Sequence, residues 1–146
     1  MAKRFTLQQA EALLPEVESE LRRAVALKQE YDSSELDLKN LMQRIMLLGG
    51  ALIDQNHLLG LKSRRDTAAA ALKEAIEAVQ ALGCEIKDLD IGLIDFRTWY
   101  RGEEVYLCWR LGESGIRYWH GLSEGFQGRK EIDRDFLDHH RGDPPQ

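Results

Sequence analysis

The chain changes character at Gly83. Upstream there is no tryptophan, and apolar residues recur at three-and-four spacing among many Ala, Leu, Glu and Lys; downstream come all three tryptophans and runs that alternate apolar with polar residues. The first pattern marks amphipathic helix and the second marks strands with one buried face. The expected fold class is therefore α+β: a long antiparallel helical hairpin followed by a small three-stranded antiparallel β-meander. At 146 residues one domain is expected. Residues 1–132 form it, with 1–83 as the hairpin and 84–132 as meander and loop. Residues 133–146, ending Gly-Asp-Pro-Pro-Gln, are expected as a flexible tail.

Thr6 with Gln9 three residues on has the form of a capping box, while Pro15 is a poor residue for a helix interior. A short helix before Pro15 and a long one from about Pro15 to Leu48 are expected. The stripe Val17, Leu21, Ala24, Tyr31, Leu38, Leu41, Ile45, Leu48 keeps its phase across Asp32-Ser33-Ser34, which predicts one uninterrupted helix there. Gly49-Gly50 is a stop signal. Asp54 is an N-cap for a second helix with Leu58, Leu61, Ala68, Leu72, Ile76, Val79 and Leu82 on one face, closed by Gly83. A short connection makes the two helices antiparallel neighbours of coiled-coil type, and the alanines from Ala68 to Ala71 permit close approach. At about 1.5 Å per residue the long helix reaches roughly 50 Å. A small sheet cannot cover such a rod, so part of it is expected to pack on a protein partner or a second copy.

Leu93–Tyr100, Glu104–Arg110 and Ile116–Leu122 read as strands, joined by Arg101-Gly102 and by Leu111-Gly-Glu-Ser-Gly115. A two-residue first turn sets Tyr100 against Glu103, Phe96 against Leu107 and Ile94 against Trp109. A symmetric second turn sets Trp109 against Tyr118 and Leu107 against His120. One face then carries Ile94, Phe96, Val105, Leu107, Trp109, Ile116, Tyr118, His120 and Leu122 and lies on the hairpin. The other carries Asp95, Arg97, Trp99, Tyr106, Cys108, Arg110, Arg117 and Trp119. In this register Arg110 and Arg117 oppose each other, and Asp95, diagonal to Arg110, is the natural counter-charge.

The crowding of arginines and aromatics on that second face has two readings. One is a solvated face with stacked, paired guanidinium groups. The other is a shallow site in which Asp95, Arg97, Tyr106, Arg110, Arg117, Trp119 and Arg129 grip an anionic ligand. His120 with Glu124 has metal-ligand spacing only in a helix, which Gly121 and Gly125 disfavour; His120, Glu124 and Asp95 form a distant metal alternative, and no metal or other cofactor is expected. Asp138-His139-His140 could hold a stray metal, and His57 reads as a surface residue. The chain lacks a Ser-His-Asp order, a HExxH, a zinc-type cysteine pair and a phosphate-binding loop, so catalytic residues are not assigned.

A net charge of −5 speaks against nucleic acid and anionic membranes as partners, and from Gly92 to Ile132 six basic residues face six acidic ones. No apolar run approaches membrane-spanning length. The opening MAKRFTLQQAEALL has no secretory pattern, and Cys84 and Cys108 are expected as reduced thiols, so a cytoplasmic location is expected.

Several runs together resemble a known family: Lys87-Asp88-Leu89, Gly92-Leu-Ile-Asp-Phe96, Glu104-Val-Tyr-Leu-Cys-Trp-Arg-Leu-Gly-Glu113, Trp119-His120 and Gly125-Phe-Gln-Gly-Arg129, with Thr6, Ala10 and Leu13-Leu-Pro15 at the start. They are similar to the small bacterial family catalogued as domain of unknown function 2203. The likeness spans nearly the whole chain. It implies a bacterial cytoplasmic protein in which Asp95, Trp109, Trp119, His120, Glu124 and Arg129 fall at hallmark positions without assigned roles. Some members bear a cell-division label. The function expected is a non-enzymatic interaction or oligomerisation module built on the hairpin; the alternative is a small anionic-ligand-binding protein or enzyme using the Arg/Trp/Asp face.

Overall fold

The structure, a computed structural model, describes residues 2–49 and 54–144. Two long helices, α1 (Leu7–Leu47) and α2 (Gln55–Ala81), pack side by side, and an antiparallel sheet follows. The α+β hairpin-and-sheet architecture is as the periodicity predicts. Thr6 and Gln9 close the capping box in both directions, at 3.1 and 3.0 Å. Asp54 caps α2 through the His57 backbone N–H.

Pro15 does not divide the first helix. α1 runs unbroken through it for 41 residues, about 60 Å. Proline removes the hydrogen bond to the Glu11 carbonyl, but Glu11 and Pro15 both lie on the exposed side, where water can serve that carbonyl. Ala10, Val17 and Leu21, fully buried on the opposite side, hold the helix to the sheet across the defect. α1 is also continuous through Asp32–Ser34, as the stripe predicts; Ser34 is buried and its hydroxyl donates to the Tyr31 carbonyl. Beyond α1, Gly49 takes the left-handed conformation at φ +64°, and Gly50 lies outside the described residues. Gly83 ends α2 at φ +101°, and a Cβ there would sit 2.6 Å from the Phe5 ring, so only glycine fits.

The sheet comprises β1 (Glu85–Asp88), β2 (Leu93–Tyr100), β3 (Glu103–Arg110), β4 (Tyr118–Gly121) and β5 (Lys130–Glu131) in sequential order, with β6 (His140–Arg141) beside β1 on the outer edge of β2. The three-stranded meander expected from the sequence is its centre, β2–β3–β4. The first hairpin has the expected register, Ile94 to Trp109 and Phe96 to Leu107, with Arg101 and Gly102 both at positive φ as a tight mirror-type turn requires. The second does not. Cys108 pairs with Tyr118, Leu107 with Trp119 and Tyr106 with His120, one residue out of step with the symmetric turn. That slip moves each β4 side chain to the other face. His120 therefore points away from the hairpin and Trp119 toward it, the reverse of the expected assignment. Leu122, expected in the core, is exposed.

The supposed flexible tail explains the slip. Residues 134–139 form α3 (Arg134–His139), capped by Asp133, and Phe136 is completely buried. Its ring packs on Tyr100 and Trp119, centroids 4.7 and 5.2 Å away, which gives Trp119 an apolar home on the hairpin side. His140 accepts from the Leu7 backbone N–H at the start of α1, so the C-terminal segment also closes the first helix. Phe5, Val17, Leu21, Val79, Ile94, Phe96, Leu107 and Trp109 meet in a core between sheet and proximal hairpin.

Candidate functional site

Strand alternation sends Asp95 from β2, and Tyr106 and Cys108 from β3, to the face away from the hairpin, and the shifted β4 adds His120. Residues 122–129 fold over this group. The result is a cavity of about 150 Å³ lined by Asp95, Tyr106 and His120 below and by Lys87, Leu122, Glu124 and Phe126 around it. Asp95, Cys108 and His120 are all buried.

His120 Nε2 lies 3.0 Å from Asp95 Oδ2, and its Nδ1–H donates to the Gly121 carbonyl at 2.8 Å. Burial acts to lower the His120 pKa, but the Asp95 carboxylate and the Gly121 carbonyl outweigh it, and the net direction is upward. Among the described residues, Asp95 Oδ1 has no hydrogen-bond partner although it is buried. Burial pushes the Cys108 thiol up to about 12, with the Asp95 charge adding to the effect. Cys84, on the core side, is likewise a buried free thiol at about 12.

The arginines expected to grip an anion do not converge on this cavity. Arg97 binds Glu85, Glu104 and the Tyr106 hydroxyl, and Arg4 completes the cluster on Glu104. Arg129 donates to both oxygens of Glu113 and lies between the Tyr118 and Phe126 rings, 4.1 and 4.2 Å from their centroids. Arg110 and Arg117 are exposed and, among the described residues, have no carboxylate partner; Arg117 reaches only the Ser114 hydroxyl. Asp95 pairs with His120 and not with Arg110, because the register slip brings the imidazole to it. Trp119 belongs to the other face.

Glu124, offered with His120 and Asp95 as a metal set, instead accepts from the Gly121 backbone N–H and from Lys130. The third member beside Asp95 and His120 is Cys108, which strand alternation puts on this face although it is not among the expected ligands. Its signal was present: Asp95 and Cys108 are direct partners in the first hairpin.

Fold and site define a helical hairpin seated on an antiparallel sheet whose outer face buries an Asp–His–Cys cluster. The family model described as "Uncharacterized conserved protein (DUF2203)" matches residues 3–132, and the chain belongs to that family. No curated protein and no solved structure matches the chain. Among the described residues, no helix is long and apolar enough to cross a membrane.

Proposed function

We propose that this protein is an interaction module whose helical hairpin associates with a second copy of itself through the distal end of the rod. The observation that carries this is the exposure of large apolar side chains there. Met42, Met46, Leu47, Leu48 and Leu59 are 44, 79, 87, 58 and 60% exposed. From Asn40 to Leu61 the only charged residues are Arg44 and Asp54, in a chain that is 31% charged overall. Apolar exposure with local loss of charge is the composition of an interface centre, and exposed methionines adapt readily to a facing surface.

A second copy suits this surface better than a strongly charged partner. The tip is nearly neutral, so two chains of net charge −5 can meet there without opposing their own charge. The core explains why the tip is left uncovered: the sheet reaches only the proximal part of each helix, and beyond Leu38 no residue of α1 is buried. Two hairpins packed tip to tip would form a four-helix arrangement of ordinary type. The compartment that goes with this reading is the reducing cytoplasm of a bacterium, supported by two buried free thiols.

Sedimentation velocity over a dilution series tests it. A two-chain species that dissociates on dilution is expected; a one-chain species at every concentration overturns the proposal. A second reading, capture of a small anion on the outer sheet face, draws its support from Arg110, an exposed guanidinium there that has no carboxylate partner among the described residues. Thermal-shift measurements with phosphate and dicarboxylates test it, and no stabilisation by any of them ends it.

A further inference from the structure

We propose that Asp95, Cys108 and His120 form a binding site for one transition-metal ion of the zinc class, with a fourth position open to the cavity beneath Leu122 and Phe126.

One candidate ligand atom from each residue, a carboxylate oxygen, Sγ and a ring nitrogen, lies within 4.8 Å of the others, and all three residues are buried. Among the described residues no other group of three such side chains comes together in this way. At bond lengths of about 2.0–2.3 Å, tetrahedral ligands stand roughly 3.3–3.8 Å apart, so side-chain adjustments on the order of 1 Å bring the set to bonding geometry. Nitrogen, sulfur and oxygen together suit a borderline cation and not calcium or magnesium.

Two independent observations aim the group at a cation. Among the described residues, Asp95 Oδ1 is a buried oxygen with no hydrogen-bond partner, a costly arrangement unless something positive approaches it. The second concerns the imidazole. Its Nδ1–H is committed to the Gly121 carbonyl, so Nε2 faces Asp95 Oδ2 at 3.0 Å and a proton has to sit between them, or a cation has to replace it. A histidine whose other ring nitrogen donates to a backbone carbonyl is the usual arrangement of a metal ligand, because that bond fixes the tautomer.

Charge balances on loading. The Cys108 thiol gives its proton to solvent, as does Nε2 if protonated, and carboxylate and thiolate together offset a dication. The cavity, about 150 Å³, leaves room at the open position for water or a small anion. This site is independent of the hairpin tip, so either proposal can fail alone.

The test is titration of the chelator-treated full chain with cobalt(II), followed by competition with zinc(II). A single equivalent is expected, with a thiolate-to-cobalt charge-transfer band displaced by zinc. In Cys108→Ser the band vanishes; in His120→Asn affinity falls by roughly 100-fold or more. In His139→Ala/His140→Ala, which removes the tail histidines, both are unchanged. The unmodified chain alone can overturn the proposal, by giving no charge-transfer band. A band that survives Cys108→Ser also overturns it, as does binding lost only with the tail histidines.

Discussion

His120 Nε2 and Asp95 Oδ2 stand 3.0 Å apart with both side chains withdrawn from solvent, joining β4 to β2 across the intervening strand. Removing one partner leaves the other buried without its partner. Asp95→Ala is expected to cost about 3–5 kcal/mol, whereas Asp95→Asn, which keeps the shape and a hydrogen bond, costs less. Urea unfolding of both variants near neutral pH checks the order. Equal losses would show that the carboxylate charge alone, and neither shape nor a neutral hydrogen bond, carries the effect.

Phe136 anchors the C-terminal segment under Trp119 and Tyr100. Phe136→Ala is expected to destabilise the whole domain by about 3–5 kcal/mol. A merely appended tail would leave the melting temperature unchanged. Limited proteolysis is the second readout: the variant is cut within 133–144 at protease levels that spare the parent chain.

How far this was legible beforehand differs by element. Helix positions followed from a stripe that persists over many turns, and the β2–β3 register from a two-residue turn that allows only one pairing. The β3–β4 connection, residues 111–117, is too long for its ends to dictate register. Its parity was decided by distant partners: an apolar pocket for Trp119 supplied by Phe136, and a buried carboxylate for His120. Phe136 sits among charged residues in a short segment with no sustained period, so it carried no local mark of burial. That one ring decides which way β4 faces, and the facing of β4 decides whether His120 meets Asp95 and Cys108. Pro15 misled for a related reason, since packing on one side of a helix overrides a defect on its wet side.

The Arg97 cluster predicts a pH dependence. The Arg97 guanidinium, against a smaller opposing effect of burial, holds the Glu104 carboxyl below the usual carboxylate range. A group more acidic folded than unfolded stabilises fully above the ordinary range, and that contribution is lost as pH falls through the folded value. The effect is of order 1 kcal/mol for so partly exposed a cluster. Urea midpoints measured at about pH 6 and about pH 3 are expected to differ less in Arg97→Gln than in the parent. An identical drop in both would contradict the assignment.

Gly83 offers a local test of how the sheet is hung from the hairpin. Gly83→Ala meets both a left-handed backbone and the Phe5 ring. A loss of more than about 1 kcal/mol is expected. Pairing it with Phe5→Leu restores part of that loss if the clash with the ring is the cause.

The most direct measurement is the solution mass of Leu47→Lys, set beside the parent by light scattering. Leu47 is 87% exposed, so the substitution leaves the fold intact while placing a charge in the proposed contact. The parent is expected at twice the chain mass of 16.7 kDa and the variant at that mass, with equal melting temperatures at low concentration. A parent that is already a single chain, or a variant that keeps the doubled mass, would contradict association through the tip.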